Sequence, residues 1–233
     1  RKAMGNNTLL NIRFYDDADR LRLLKEKEIE DRMADALENG EFIIHLQPKI
    51  NPTTGEVTGA EALVRWEDPE KGLLMPGYFL PVMEANGFIA QVDLHVFTLA
   101  CKLIRRWIDE GTKPIPISAN DSRANLQIPD FLDQYIRVMQ KYDVPPHLLQ
   151  IELTETVVFD DIERLSKIIR QIHEIGMTFA IDDFGSGYST LSLLSDVNAD
   201  VLKLDGSFFR NEWAQDDKGQ LVVEGLVNMA RKL

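Results

Sequence analysis

The chain has 233 residues, of which 44% are hydrophobic and 27% are charged, and this ordinary globular composition excludes fibrous and disordered proteins. Its 26 basic and 38 acidic residues give a net charge of −12. That charge argues against DNA or general nucleic-acid binding, because neutralising phosphates requires a basic surface.

No feature of the chain predicts a secreted or membrane-spanning protein. No apolar run approaches the roughly 18 residues that a membrane helix needs, and the first five residues lack a signal-peptide core. The single cysteine, Cys101, cannot form an intrachain disulfide, and its helical pattern with Leu99 and Leu103 favours a buried thiol over a nucleophile. We expect a cytoplasmic location, although upstream regions of a parent protein could anchor it to a membrane.

The first forty residues differ from the rest of the chain. Residues 6–15 have the pattern of a short extended piece, and the charged stretch 16–39 carries apolar residues at near-helical spacing before Gly40. These apolar residues are Leu21, Leu24, Ile29, Met33 and Leu37. Two compatible interpretations stay open: an amphipathic helix packed on the domain, or a signalling helix that joins an upstream domain.

From Glu41 onward, apolar strands alternate with helical patterns. Strands are predicted at 42–50, 57–66, 115–120, 149–154, 178–182 and 201–204, and helices at 91–110, 131–142, 162–175 and 220–233. Pro52 and Gly55 mark a hairpin turn between the first two strands. The later alternation predicts βα units and a mainly parallel sheet. Because six strands are too few for a closed eight-stranded barrel, the sheet is either open or part of a barrel.

Polar and charged side chains recur at or near the ends of the predicted strands. They are Glu61, Asn120, Glu152, Asp182, Asp183, Lys203 and Asp205. In a parallel α/β fold, the C-terminal ends of the strands lie at one face, where ligands bind. Carboxylates gathered there need a common counter-charge, and one or two hard cations with oxygen ligands supply it. Taken singly, each residue is also explained as a helix cap, a turn residue or a solvated charge.

The run Glu61-Ala62-Leu63-Val64-Arg65-Trp66 opens a set of motifs that resembles the EAL family of cyclic di-GMP phosphodiesterases. The other elements are Gln47-Pro48 upstream, then Asn120-x-Ser122, Glu152-Leu153-Thr154-Glu155, Asp182-Asp183-Phe184-Gly185-Ser186-Gly187-Tyr188-Ser189 and Lys203-Leu204-Asp205. Glu-Ala-Leu alone has little specificity, whereas six elements in family order are specific.

The resemblance implies a fold and a domain organisation. Residues 1–15 would be the tail of a preceding GGDEF-like domain, residues 16–40 a linker helix, and residues 41–233 the EAL domain. The family fold is an α/β, modified TIM (β/α)8 barrel with an antiparallel first strand, which agrees with the hairpin predicted above. We expect this barrel to be truncated after its sixth strand, with the C-terminal βα units missing.

The resemblance also implies the reaction, which is metal-dependent hydrolysis of cyclic di-GMP to linear pGpG in second-messenger signalling. The implied cofactors are two Mg²⁺ or Mn²⁺ ions. The implied metal ligands are Glu61, Asn120, Glu152 and Asp182 for the first ion, and Asp182 and Asp183 for the second. The implied catalytic residues are Lys203, Asp183 and Glu61. The implied substrate-binding residues are Gln47, Leu63, Arg65 and Asp205.

Glu155 would anchor the loop 184–189, and the implied partners are cyclic di-GMP, an upstream GGDEF-like domain and a second EAL domain in a homodimer.

The sequence departs from the family at one point. Family members carry a later Glu-Gly-Val-Glu strand, but Glu224-Gly225 follows Lys203 too closely and lies in a helical pattern. We therefore predict that Glu224 is not the missing catalytic carboxylate, and that residues 1–233 alone are not a self-sufficient enzyme.

Other readings of the motifs are weaker. The four histidines form no pair with zinc-ligand spacing, and the glycines at 185 and 187 lack the third glycine of a dinucleotide-binding loop. The serious alternative is a catalytically silent EAL module that binds cyclic di-GMP or a partner protein. Hydrolysis is favoured, because every metal ligand that this stretch of the family motif requires is present.

Overall fold

The computed structural model describes residues 17–159, 162–185, 197–210 and 217–230. The helices are α1 (Asp17–Glu38), α2 (Pro76–Asn86), α3 (Ile89–Asp109), α4 (Arg123–Leu126), α5 (Phe131–Tyr142), α6 (Glu155–Phe159), α7 (Ile162–Ile175), α8 (Ser207–Arg210) and α9 (Asp217–Ala230). The strands are β1 (Phe42–Ile50), β2 (Val57–Asp68), β3 (Gly72–Leu74), β4 (Ile117–Asn120), β5 (Leu149–Thr154), β6 (Thr178–Phe184) and β7 (Val201–Leu204). The predicted tail 1–15 and loop residues 186–189 lie outside the described residues.

The strands form one sheet in the order β1-β2-β4-β5-β6-β7, with β3 paired to β2. β1 runs antiparallel to β2, and the pairs from β2–β4 to β6–β7 are parallel. The antiparallel first strand and the parallel strands from β2 to β7 confirm the predicted topology, and the short β3 adds an antiparallel pairing to β2 that was not predicted. In the described part of the chain the sheet is not closed, since no pairing joins β7 to β1.

Helices cover the sheet and complete its core. β5 is buried along nearly its whole length, as expected of a parallel strand covered on both faces. The amphipathic helix α3 buries Val96, Phe97 and Ile104 against the sheet and against α5. Cys101 is fully buried on the same helix, and burial raises the pKa of its thiol to about 12, so the predicted inert thiol is confirmed.

Helix α1 packs at the start of the barrel rather than extending away from it. Ile29 and Ala36 are buried against the domain. Arg32 pairs with the buried carboxylate of Asp68 at the end of β2, and its guanidinium also lies 3.3 Å from Glu41 Oε2. The packed interpretation is therefore confirmed from Ile29 onward, where Met33 and Leu37 also pack on the core, whereas the predicted apolar residues Leu21 and Leu24 are exposed.

Several elements differ from the sequence prediction. Strand β3 and helix α2 were not predicted, and α3 begins at Ile89 rather than at residue 91. The last described helix begins at Asp217 rather than at residue 220. Glu224 lies on this helix with an exposed side chain, as the helical pattern predicts. Among the described residues, no helix is long and apolar enough to cross a membrane.

Candidate functional site

The register of the sheet brings the predicted acidic residues to one end of the strands. Asn120 on β4 is paired with Glu152 on β5, and Thr154 at the end of β5 is paired with Asp182 on β6. Since residues two apart on a strand share a face, Glu152 and Asp182 project from the same side of the sheet. Parallel pairing thus converts widely separated sequence positions into one cluster.

Lys203 joins three of these carboxylates. Its Nζ donates hydrogen bonds to Glu61 Oε2 at 2.9 Å, to Glu152 Oε2 at 2.5 Å and to Asp182 Oδ2 at 2.7 Å. Burial would lower the pKa of the Lys203 ammonium, but these hydrogen bonds raise it above its ordinary value. Lys203 is therefore a permanent positive charge at neutral pH.

Glu152 is held between two lysines. Its side chain is 0% exposed, and its second oxygen, Oε1, accepts a hydrogen bond from Lys49 Nζ at 2.7 Å. Lys49 Nζ also donates to Gln150 Oε1 at 2.9 Å. Burial alone would raise the pKa of Glu152, but the hydrogen bonds from Lys203 and Lys49 lower it below its ordinary value. The carboxylate is therefore ionised although it is fully buried.

Asn120 and Asp183 complete the acidic end of the sheet. Asn120 Nδ2 donates to Glu61 Oε1 at 2.8 Å, which fixes the orientation of that carboxylate. Asp183 lies at an irregularity in the β6–β7 pairing and adopts a φ of +52°. Burial raises the pKa of Asp183, and the carboxylates of Asp182 and Asp205 raise it further. The upward effect of both neighbouring carboxylates on this pKa means that negative charge is concentrated around Asp183.

The residues implied to bind substrate lie beside this cluster. Gln47 on β1 is paired with Glu61, and Leu63 and Arg65 follow Glu61 on the same face of β2. Arg65 Nη1 donates to the carbonyl of its neighbour Val64 at 2.7 Å. The side chains of Gln47, Leu63 and Arg65 thus share one face of the β1–β2 hairpin with Glu61.

Asp205 and Glu155 lie at the rim of the same end. Asp205 follows β7, and its Oδ1 accepts a hydrogen bond from the Ser207 amide at 2.8 Å. The buried Glu155 accepts a hydrogen bond at Oε2 from the Gly185 amide at 2.5 Å. This contact is the one that a loop anchor requires, although the rest of the predicted loop lies outside the described residues.

The turn after Asn120 is supported by a buried polar group on α3 and α4. The Ser122 amide donates to Asp93 Oδ2 at 3.0 Å and to Asp121 Oδ1 at 2.8 Å. Asn125 Nδ2 donates to Asp93 Oδ2 at 3.1 Å. Burial raises the pKa of both carboxyls, to about 6 for Asp121, and their mutual repulsion contributes to the shift of Asp93. These contacts hold the backbone that presents Asn120.

The donor set fits a hard divalent cation. Glu61, Glu152 and Asp182 each offer one carboxylate oxygen, and these oxygens lie within 4.8 Å of one another. Carboxylate and amide oxygens are the ligands that Mg²⁺ and Mn²⁺ prefer. The cluster, with Asn120 beside Glu61, could therefore hold a metal ion.

The sequence analysis assigned no role in the site to Lys49, Asp93 or Asp121. Lys49 lies two residues after Gln47, so the alternation of β1 placed it on the face of the site. It lies opposite Gly59, which has no side chain to obstruct it. No comparable signal exists for Asp93, since an acidic residue in the middle of a helix is usually solvated.

Comparison with known proteins gives consistent matches. A family model described as the EAL domain matches residues 30–233. The bifunctional diguanylate cyclase/cyclic di-GMP phosphodiesterase MucR of Pseudomonas aeruginosa is 32% identical over 220 residues, which are 94% of this chain and 32% of that protein. Cyclic di-GMP phosphodiesterase NbdA of the same organism is 32% identical over 232 residues, covering 100% of this chain and 29% of that protein. The chain thus spans about a third of the length of these relatives.

Solved structures match the fold. The PaMucR phosphodiesterase in complex with c-di-GMP has a TM-score of 0.80 at 34% identity, covering 88% of this chain and 83% of that chain. The FimX EAL domain from Pseudomonas aeruginosa bound to c-di-GMP has a TM-score of 0.79 at 21% identity, covering 88% and 81%, and shows the fold alone. The matches confirm the predicted α/β fold, a modified TIM barrel.

Proposed function

Because the chain belongs to the EAL domain family, we propose that, within its parent protein, it hydrolyses one phosphodiester bond of cyclic di-GMP to give linear pGpG. The observation that carries this proposal is the convergence of Glu61, Glu152 and Asp182 on Lys203 at the C-terminal ends of the parallel strands. Three carboxylates from three strands, fixed by one lysine, are unsuited to a purely structural role, since simple packing would favour apolar residues there.

Mg²⁺ or Mn²⁺ would be held by Glu61, Asn120, Glu152 and Asp182, with Asp182 and Asp183 holding a second ion. Such ions supply Lewis acidity and generate a nucleophile from water near neutral pH. The crowding of negative charge around Asp183 supports the second position, because a cation would relieve the repulsion that raises the pKa of this carboxyl. Glu152, wholly buried and ionised, gives the site a fixed negative charge.

Lys203 would orient the attacking water and offset the negative charge that develops on the phosphoryl oxygens. Its ammonium is charged at neutral pH, because its hydrogen bonds raise its pKa, and a positive charge near the reacting phosphate stabilises negative charge that develops in the transition state. Glu61 would also help to position the water. Asn120 keeps that carboxylate in place through its amide hydrogen bond.

Gln47, Leu63, Arg65 and Asp205 would bind the substrate. They border the acidic cluster, and Gln47, Leu63 and Arg65 lie on the face of β1 and β2 that also carries Glu61. Arg65 is the suited partner for a phosphate, because a guanidinium pairs with two oxygens at once. This charge matters in a chain whose net charge is −12.

We also propose partner domains and a cellular location for this domain. Helix α1 would connect it to an upstream GGDEF-like domain, two EAL domains would form a homodimer, and the domain would work in the cytoplasm. The tight packing of α1 through Arg32 and Asp68 supports a rigid connection.

Chromatography of reactions with cyclic di-GMP tests the proposal. With the parent protein, we expect pGpG to form with Mg²⁺ or Mn²⁺, and its formation to stop with EDTA and in Glu152→Gln. Glu224→Gln is the matched control and should retain activity, because Glu224 is exposed on α9. Cleavage that survives EDTA contradicts the metal dependence, and binding of cyclic di-GMP without cleavage supports the silent binding module instead.

A further inference from the structure

We propose that Lys203 is an internal cation that shares one position with a divalent ion, so that the ion binds only by displacing the Lys203 ammonium. The inference rests on the proposed metal-dependent function and adds a competition between a side chain and the ion. Lys203 would then have two positions: one between the carboxylates, and one withdrawn toward the rim of the site.

The geometry of the ammonium supports this exchange. An ammonium has three donors, and Lys203 directs them at Glu61, Glu152 and Asp182, at 2.9, 2.5 and 2.7 Å. Among the described residues, the group of acidic side chains able to hold an ion consists of the same three residues. An ion that is held by all three must therefore enter the space that Nζ fills.

The charges also favour an exchange over simultaneous occupancy. The three carboxylates carry three negative charges, and Lys49, which bonds Glu152 from the other side, supplies one positive charge. One divalent ion supplies the remaining two, so the group is neutral without Lys203. With the ammonium still between the carboxylates, two cations would repel each other at contact distance in a poorly solvated site.

The chain offers Lys203 a place to withdraw to. Its side chain is 24% exposed and lies on β7, the last strand of the described sheet. Asp205 lies two residues after Lys203 in the chain, and Asp183 adjoins Asp182, whose carboxylate Lys203 contacts. Asp205, to which no ion is assigned, has a carboxylate outside the group of three, toward which the ammonium could move and keep a negative neighbour.

Titration with Mn²⁺ tests the exchange, because free Mn²⁺ has an electron paramagnetic resonance signal that is lost on binding. Removing the competing ammonium in Lys203→Met should strengthen Mn²⁺ binding by about tenfold or more. Lys49→Met is the matched control: it removes the same charge from the same carboxylate but not from the shared position. We expect it to strengthen Mn²⁺ binding clearly less than Lys203→Met does, because the Lys203 ammonium still fills the shared position. Lys167→Met, on the exposed side of α7, reports the effect of net charge.

The variants distinguish exchange with Lys203 from a general effect of charge on Mn²⁺ binding. Equal strengthening in Lys203→Met and Lys49→Met would show a general charge effect and overturn the exchange, as would unchanged or weaker binding in Lys203→Met. Lys203→Gln, which keeps hydrogen-bond donors without charge, should behave like Lys203→Met and serves if the latter is unstable. Thermal unfolding is a second measurement, since Mn²⁺ should raise the melting temperature of Lys203→Met more than that of the parent protein. A parent protein that binds Mn²⁺ but leaves cyclic di-GMP intact contradicts the proposed activity and not the exchange.

Discussion

Individual residues of the site have ionisation states that their neighbours set. An unpaired buried carboxylate at position 152 would be destabilising by several kcal/mol, yet two lysines keep it charged. The two lysines have different places: Lys203 contacts three carboxylates, whereas Lys49 contacts Glu152 and Gln150. Their substitution should therefore have different effects on binding and on chemistry.

Substrate binding and turnover should separate between Arg65 and Lys203. Lys203→Ala should lower turnover by about 100-fold or more, because it removes a charge aimed at the reacting phosphate. Arg65→Ala should instead weaken cyclic di-GMP binding by about tenfold, because it removes a pairing with the phosphate. Calorimetry with Ca²⁺ in place of Mg²⁺ measures affinity, and product analysis measures turnover. An equal loss of affinity in the two variants would refute this assignment.

Asp93 and Asp121 should make stability depend on pH. Below 3.8, the ordinary pKa of aspartate, both carboxyls are protonated in the folded and unfolded chain. As pH rises toward the folded pKa of about 6 for Asp121, the unfolded chain releases its protons first, so the free energy of unfolding falls.

Asp93→Asn should remove much of this fall and stabilise the protein near pH 7 by about 1 kcal/mol. The carboxamide oxygen can still accept from the Ser122 amide, so the turn after Asn120 should persist. Urea unfolding between pH 4 and 8 measures the effect. The expectation fails if the variant is less stable than the parent protein near pH 7.

At the scale of elements, α1 is joined to β2 by a charged group that is largely shielded from solvent. Arg32 pairs with Asp68, whose side chain is 1% exposed, and Glu41 accepts a 2.8 Å hydrogen bond from Trp66 Nε1. Phe42, Trp66 and Phe79 form an aromatic cluster beneath this contact. Since β2 also carries Glu61, the helix and the site are attached to the same strand.

Breaking the pair between Arg32 and Asp68 should lower the stability of the folded protein. Arg32→Met leaves the Asp68 carboxylate buried without its cation, and we expect a loss of about 3 kcal/mol in the free energy of unfolding. Arg22→Met, on the same helix, breaks the exposed pairs with Asp19 and Glu26 and should cost less than about 1 kcal/mol. Urea unfolding compares the two, and similar losses would show that the Arg32 contact has no special importance.

The junction after β6 should not tolerate a side chain at Gly185. This residue has a φ of +89°, and an added Cβ would overlap the ring of Phe208. Gly185→Ala should therefore cost more than about 1 kcal/mol. Gly225→Ala is the matched control: it lies in α9 with no atom near its Cβ position, and it should stabilise by about 0.5–1 kcal/mol. Thermal unfolding distinguishes the two, and a stable Gly185→Ala would contradict the overlap.

Regular elements were predictable because their apolar periodicity is long. The six predicted strands are present, with ends shifted by two residues or fewer. Helix α2 was missed because Pro76 and Pro81 suggest a loop, although Pro76 lies in the first turn, where its missing N–H is not needed. The three-residue strand β3 is too short for periodicity to show. Lys49 was missed because its importance depends on β5, a hundred residues away.

At the scale of the whole molecule, the described sheet has an open edge at β7, and apolar side chains are exposed close to it in the sequence. They are Val201, Phe209, Leu221 and Val222. Helix α9 packs on the core chiefly through Leu226. An open strand edge with apolar neighbours favours pairing with another chain.

We expect the 233-residue chain to self-associate through this region. Light scattering after size-exclusion chromatography should show a mass that rises with concentration. Leu221→Glu combined with Val222→Lys should reduce the rise, because charges on this helix oppose apolar contact. Leu24→Glu, on the exposed side of α1, is the control and should leave the rise unchanged. A monomer at every concentration would contradict the expectation.

The backbone at Asp183 also has a genetic consequence. Its φ of +52° is tolerated by few residues, and asparagine and glycine are among them. Every aspartate codon becomes an asparagine or glycine codon through a single base change. Such a change keeps the turn and deletes one acid. If Asp183 holds an ion as proposed, a single base change here can impair the ion site and leave the domain folded.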